Sequence, residues 1–535
     1  MLCEGVSKAV WSFYWYIAAT LIALCGSKSS KRGAEACRKR WSVLLIIVAL
    51  SITIGLYVPV GYNIGVVNSP AEVIRSWCLE SARTRYNVDL TYGQLTMLWS
   101  SIVSIFLIGG IIGSLTGSWL ADFMGRKWAC VFSGGLSFAG AFFFVITKFI
   151  NSIEVLLLGR FVVGLSAGLT TCIAPMYLIE LAPPYLTGAM GVFCQLGITL
   201  GVLLAQIFSL NQVLGDAELW PYLLSCYAVF IFLSAFTIPM LPESPKFLLL
   251  NRRRADALKQ LERVRDDVPD IIEREIMEME MHMQVATRQT QSSWNIAKVL
   301  CDRSLLLPVI LVCAMQGGQQ FSGINAVFYY STLIFQHAGL SSEESQLATI
   351  GTGIINLLMA CVSVFVMSYF KRRGVMQLSC LSSILCLLLL AFTITFVETY
   401  SWISYICIIA VLGYVLCYGI GLGPIPYFIG SELFEVGPRP SAMALGGMAN
   451  YGGNFIVGLT FPLMQAKIGA SSFIIFAAFT AGLLLLVRYY LPETKGRDPS
   501  EVANLCRNGL RSQVFASPSN STVTGDTVPI SEVKL

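Results

Sequence analysis

Long apolar stretches separated by short polar turns run through most of the chain, and their length sets the first expectation. A helix that crosses a bilayer needs about 20 apolar residues. Twelve stretches meet that length, at roughly 41–67, 93–121, 129–148, 153–179, 188–210, 219–241, 304–335, 346–370, 375–397, 402–430, 441–465 and 471–490. Between the sixth and the seventh lies Pro242–Arg303, which carries about a third of the chain's charges and reads as a soluble, mostly helical linker. The pattern predicts an all-α membrane protein with twelve transmembrane helices in two six-helix halves, 41–241 and 304–490, around a linker at 242–303. An extension at 1–40 precedes the bundle, and a Ser/Thr-rich tail at 491–535, read as disordered, follows it.

Composition agrees with a membrane. Apolar residues make up 55% of the chain and charged residues 13%, with a mean hydropathy of +0.69. A soluble chain carries about twice that charged fraction. The net charge of +5 reflects where the basic residues lie rather than a nucleic-acid partner. Arg126-Lys127, Arg252-Arg253-Arg254, Lys371-Arg372-Arg373 and Lys495/Arg497 all fall on one side of the predicted bundle, which places both of its ends in the cytosol. The other side has short, sparsely charged loops except 69–92, with Arg75, Arg83 and Arg85.

The 16 cysteines show no paired metal spacing, and most lie in apolar spans, where Cys behaves as a small hydrophobe. Cys78 is the one cysteine of the long external loop, so no disulfide is expected there. With His282 and His337 as the only histidines, a histidine-rich metal site is excluded, and no cofactor is expected. Near the start, Val10–Gly26 is apolar and aromatic and is followed by a basic stretch, Lys28 to Arg40. It reads as an interfacial helix, with an extra spanning helix as the alternative; a cleaved signal would carry its basic cluster on the other flank.

The chain repeats itself at an offset of about 250 residues. Gly125-Arg126-Lys127 recurs as Arg372-Arg373-Gly374, Glu180-Leu181 as Glu432-Leu433, and Pro242-Glu243-Ser244 as Pro492-Glu493-Thr494. Two parallel six-helix halves resemble the major facilitator superfamily, which implies a ligand site between the halves near the midplane.

The stretch Gln319-Gln320-Phe321-Ser322-Gly323-Ile324-Asn325-Ala326-Val327-Phe328-Tyr329-Tyr330 concentrates the candidate chemistry. Three amides in an apolar span are costly unless they meet a partner or a wet cavity. Amides are uncharged and both donate and accept, which suits a neutral polyhydroxylated ligand. This wording resembles the seventh helix of the GLUT family of facilitative hexose transporters. The resemblance covers about 41–500 and includes Gly61-Tyr62-Asn63, Gly159-Arg160, Gly168-Leu169-Thr170-Thr171, Pro175-Met176-Tyr177, Gln195-Leu196-Gly197, Pro242-Glu243-Ser244-Pro245, Gly423-Pro424-Ile425-Pro426 and Pro492-Glu493-Thr494-Lys495-Gly496-Arg497.

The resemblance implies a hexose-binding set of Gln195, Gln319, Gln320, Asn325, Asn356, Asn450 and Asn454, with Tyr427 and Phe328 as aromatic walls. Gly421, Gly423, Pro424 and Pro426 crowd helix breakers into the tenth span, which favours a hinge or gate there. Arg126, Arg160, Arg372 and Arg439 near Glu180 and Glu432 read as a cytosolic salt-bridge lock between the halves. An isolated intramembrane amide is often interhelical glue, and that reading stays open for Asn356 and Asn454.

Departures from the family pattern matter. Tyr427 stands where glucose-selective members have Trp, Gln316-Gly317-Gly318 where they have Gln-Leu-Ser, and Gly419 where they have Glu. Arg439-Pro440-Ser441-Ala442, Gly446-Gly447 and Phe461-Pro462 lean toward the fructose-transporting class, although that class has His at Asn450. Thr187 replaces a family Arg and Ser368 a family Glu, so a weakened lock is expected. Proton-linked sugar porters carry Asp at the position of Asn63, and an amide does not titrate, so the expected cycle is uniport.

The implied partners are a hexose and the lipid bilayer of the plasma membrane, with no nucleic acid. Rival readings are a carrier of urate or another small solute, and a transporter-like sugar sensor. An enzyme would need a nucleophile, a metal or an acid–base pair at midplane, and the sequence offers none.

Overall fold

The computed structural model describes residues 42–506, apart from 184–186, 211, 266–268, 290–295, 338, 398–401, 435–437, 496 and 498. Val10–Gly26 and residues beyond 506 lie outside the described residues; within the tail expected to be disordered from 491, Pro499–Cys506 is instead a helix with Val502 and Cys506 buried.

The first half contains α1 (Val43–Gly65), α2 (Tyr92–Met124), α3 (Arg126–Ile150), α4 (Ile153–Leu181), α5 (Thr187–Phe208) and α6 (Trp220–Ala235). The second contains α7a (Leu306–Phe321) and α7b (Ile324–His337), α8 (Ser342–Tyr369), α9 (Arg372–Phe396), α10a (Ile403–Ile420) and α10b (Ile425–Leu433), α11 (Arg439–Ile468) and α12 (Ser471–Tyr490). Among the described residues, eight helices are long and apolar enough to cross a membrane. The remaining four segments of the bundle fall short for local reasons. The apolar parts of α5 and α6 are short (Phe193–Phe208 and Trp220–Ala235), α7 is broken, and α11 is diluted by Gly446, Gly447, Asn450, Gly452, Gly453 and Asn454.

Local chemistry starts and stops these helices. Thr91 and Gln94 form a reciprocal capping box at the start of α2, and Ser341 and Glu344 form one at α8. The predicted single seventh span is two helices, because Gly323 takes φ +88°, a conformation that ends an L-residue helix. A π-helical turn at Thr53–Tyr57 interrupts α1, a feature absent from the apolar pattern. The segment 69–92 contains a helix, Ala71–Tyr86, with Glu72 in its first turn and Arg83 and Arg85 in its last, as the macrodipole favours. Arg85 donates to the Ile150 carbonyl (3.0 Å) and ties that helix to the α3–α4 turn.

Glycines let α2 and α4 approach to backbone contact. A Cβ at Gly164 would stand 1.9 Å from the Phe106 carbonyl oxygen, and one at Gly168 2.2 Å from that of Gly110. Backbone cannot yield as a flexible side chain can, and overpacking costs about 1–3 kcal/mol or more. Gly164→Val is therefore expected to prevent recovery of monodisperse folded protein in detergent. An unchanged elution profile and melting temperature would contradict this packing.

The linker forms helices Pro245–Leu250, Arg254–Arg265 and Pro269–Gln289, with a small core of Leu248, Leu249, Ala257, Leu261, Ile272 and Ile276. Arg265 pairs with Glu275 (2.8 Å) and donates to the Leu181 carbonyl (2.7 Å), seating this core beneath α4.

Side chains also join the two halves. Asn68 after α1 donates to Ser331 of α7b (2.6 Å). Gln206 of α5 donates to Thr352 of α8 (3.4 Å). Thr171 of α4 hydrogen-bonds Tyr451 of α11 (3.1 Å).

Candidate functional site: an amide node between broken helices

The two broken helices satisfy each other. Leu422 would normally accept from the backbone four residues on, but that residue is Pro426, which has no N–H. Gln319 of α7a supplies the missing donor: its Nε2 donates to the carbonyls of Leu422 (2.9 Å) and Gly423 (2.8 Å). In return, Tyr414 of α10a donates its hydroxyl to the Ser322 carbonyl (2.7 Å) at the α7 break. Irregular backbone at membrane depth persists only where such partners exist.

From Gln319 the amides form a connected network. Asn450 Nδ2 donates to Gln319 Oε1 (2.8 Å) and to Gln316 Oε1 (2.9 Å). Gln316 Nε2 donates to the Pro426 carbonyl (2.9 Å). Gln320 Nε2 reaches Gln319 Oε1 (3.4 Å), and Asn325 Nδ2 donates to Gln320 Oε1. The Tyr427 hydroxyl faces Asn450. Tyr427 is 41% exposed on a short helix packed against α7a and α11, so its ring borders open space beside buried amides.

The sequence-derived set divides in two. Gln319, Gln320, Asn325 and Asn450 converge, with Tyr427 beside them and Phe328 buried nearby in sequence. Gln195 is half-buried on α5, while Asn356 on α8 and Asn454 on α11 are buried. None of these three joins the network by a hydrogen bond among the described residues, and Asn454 Oδ1 is buried without a partner. Gln319 is fully buried and bonded at both ends of its amide, so it holds the α10 break rather than presenting an open group. Gln316 was not among the expected site residues. Its signal was available, since it lies one turn before Gln319 and Gln320 on the same helix. On the outer flank of α7a, Cys313, Gly317, Gly318 and Phe321 line an apolar groove against α12.

The charged motifs correct the expected lock. Arg126 Nε donates to Glu180 Oε2 (3.1 Å), its backbone N–H donates to Glu243 (2.9 Å), and Ser244 donates to Glu180. The second half repeats this with Arg372 to Glu432 (3.5 Å), Arg372 backbone N–H to Glu493 (2.9 Å), and Thr494 to Glu432. Each ion pair therefore closes within one half, and neither bridges the halves. Burial pushes the Glu243 carboxyl above its usual range, against the three backbone N–H groups of Ser244, Lys127 and Arg126.

Arg439 donates to the Phe434 carbonyl (3.2 and 3.0 Å), and among the described residues it meets no carboxylate. Arg160 lies near the opposite end of α4 from Glu180. It is fully buried, donating to the carbonyls of Ile102 (3.3 Å) and Asn63 (3.0 Å) under the Phe106 ring, so it belongs to the core of the first half. The side chains of Thr187 and Ser368 lie outside the described residues.

A duplicated twelve-segment bundle, whose broken helices meet in a polar node at mid-depth, defines a secondary transporter of the major facilitator fold. The family described as "Sugar (and other) transporter" has a model that matches residues 48–505, and the chain belongs to that family. It is 38% identical over 464 residues to "Solute carrier family 2, facilitated glucose transporter member 1" of Gallus gallus, covering 86% of this chain and 92% of that protein. It is 38% identical over 453 residues to "Solute carrier family 2, facilitated glucose transporter member 3" of Rattus norvegicus, covering 85% and 91%. The fold is similar to that of the proton:xylose symporter XylE bound to 6-bromo-6-deoxy-D-glucose, with a TM-score of 0.72 at 23% identity over 87% of this chain and 100% of that one. It is also similar to the inward open conformation of XylE from E. coli, with a TM-score of 0.69 at 21% identity over 86% and 99%.

Proposed function

We propose that this protein carries a hexose across the plasma membrane by facilitated, alternating-access transport, with both ends of its bundle in the cytosol. The observation that carries the reading is the neutral character of the node: Gln316, Gln319, Gln320, Asn325 and Asn450 exchange hydrogen bonds at the junction of the broken helices. A hydroxylated ligand can replace such bonds in kind, donor for acceptor. Gln320, Asn325, Asn450 and Tyr427 form the ligand-facing set of this proposal, and Gln195, Asn356 and Asn454 complete it from neighbouring helices. The relatives' names favour glucose. Gly419, Tyr427 and Gly447 favour fructose as the second reading. At Gly419 a Cβ would stand 2.6 Å from Met359 Cβ, so the Glu that glucose-selective members carry there has no room in this packing.

Coupling follows from Asn63. Its side chain is buried and donates to the Pro59 carbonyl (2.9 Å), and an amide holds no exchangeable charge in the physiological range. Uptake into vesicles is expected to be unchanged by a proton ionophore and to stop at equal sugar concentrations on the two sides. Accumulation above the external concentration that an ionophore collapses would refute uniport. Uptake of labelled glucose and fructose, each competed by the other, tests the substrate. Saturable uptake of neither rejects the hexose reading and leaves the other small-solute carriers and the sensor.

A further inference from the structure

We infer that Tyr451 is a latch between the halves, and that its hydrogen bond to Thr171 must break when the site opens toward the basic-loop face. The inference rests on the alternating-access reading above.

Tyr451 follows Asn450 on α11, so the latch adjoins the amide node directly in the chain. Its ring lies over Gly110 of α2: a Cβ there would stand 2.6 Å from both Cδ1 and Cε1. Its hydroxyl bonds Thr171 Oγ1 of α4 at 3.1 Å. Tyr451 is 8% exposed. The second half thus inserts an aromatic knob into a socket that the first half makes from α2 and α4. The socket is stiff, because α2 and α4 touch backbone to backbone at Gly164 and Gly168.

Depth gives the latch its direction. Tyr451, Thr171 and Gly110 each lie past the midpoint of their helix, toward the end that carries Arg439, Leu181 and Met124. That end is the basic-loop face. One turn nearer that face, Gly447 packs against Ser114. The Asn68–Ser331 bond lies near the opposite end of the bundle. Rocking the halves apart on the basic-loop side would pull Tyr451 from its socket and leave Asn68–Ser331 in place.

The test measures inter-half distance in the full-length protein, without relying on transport. Spin labels at Phe123→Cys and Lys371→Cys, in a background lacking reactive native cysteines, report separation at the basic-loop face. Tyr451→Phe keeps the ring and removes the hydroxyl. It is expected to shift the population toward longer distances about 2- to 10-fold, the scale of one net hydrogen bond. Thr171→Val is expected to give the same shift, Thr171→Ser to restore the original distribution, and the Tyr451→Phe/Thr171→Val pair to add nothing further. If Tyr451→Phe does not fold, Thr171→Val alone reads the same bond. An unchanged distribution in Thr171→Val, or single shifts that multiply in the pair, would overturn the latch. A wild-type protein that moves no hexose while the variants still shift would reject the proposed function and keep the latch. Hexose transport without the shift would do the reverse.

Discussion

Gln320→Ala combined with Asn325→Ala is expected to remove nearly all hexose uptake while leaving the protein at the surface. The two side chains bond each other at the end of the amide network, on either side of the α7 break. Each is almost fully buried, at 3% and 8% exposed, yet neither supports the α10 backbone as Gln319 does. Losing one hydrogen bond to a neutral hydroxyl costs about 0.5–1.5 kcal/mol, so each single change should lower kcat/KM several-fold. The pair should lower it by about two orders of magnitude if both bonds strengthen in the occluded state. Near-normal uptake by the double variant would remove this pair from the ligand site.

Gln319→Leu is expected to be more damaging and for a different reason. It strips the Gln319 donor from the carbonyls of Leu422 and Gly423, one of two side-chain acceptors from Asn450, and the acceptor of Gln320 Nε2. A buried polar group left unsatisfied costs about 1–3 kcal/mol, and the two carbonyls lose this donor together, while Asn450 keeps Gln316 Oε1. The expected result is a melting temperature several degrees lower and no measurable transport. Gln319→Glu should not rescue it, since a carboxylate offers no donor to the two carbonyls. A Gln319→Leu protein that melts like the wild type but binds hexose more weakly would make Gln319 a ligand contact instead of the pin of the α10 break.

This contrast shows what the sequence can and cannot convey. Apolar runs of spanning length mark the spans that are continuous, such as α3 and α9, because burial in hydrocarbon requires little else. The duplicated motifs mark the two charged nodes, and Arg126, Glu180, Glu243 and Ser244 assemble as Arg372, Glu432, Glu493 and Thr494 do. The pairing within each half was not legible, since opposite charges at equal depth suit a bridge within a half as well as one between halves. Arg160 was misplaced for a related reason: an arginine in a motif reads as a charge in a lock, and only the packing reveals that backbone carbonyls and the Phe106 ring surround it.

The amide cluster was visible as an anomaly of polarity, but its division of labour was not. Whether an amide faces a ligand or a neighbouring backbone depends on where the freed carbonyls of a broken helix point. That in turn depends on Gly323 at φ +88° and on Pro426 lacking a donor. The π turn at Thr53–Tyr57 in α1 leaves the apolar pattern intact, so hydropathy does not reveal it.

The most direct test is uptake by the purified full-length chain in sealed proteoliposomes, with labelled D-glucose and D-fructose outside, L-glucose as the control, and a proton ionophore present or absent. The expected result is saturable uptake of at least one D-hexose that exceeds L-glucose uptake, is competed by the unlabelled sugar, ends at equal concentrations and ignores the ionophore. Uptake of both hexoses no faster than L-glucose, from protein that elutes as a single folded species, would contradict a facilitative hexose carrier.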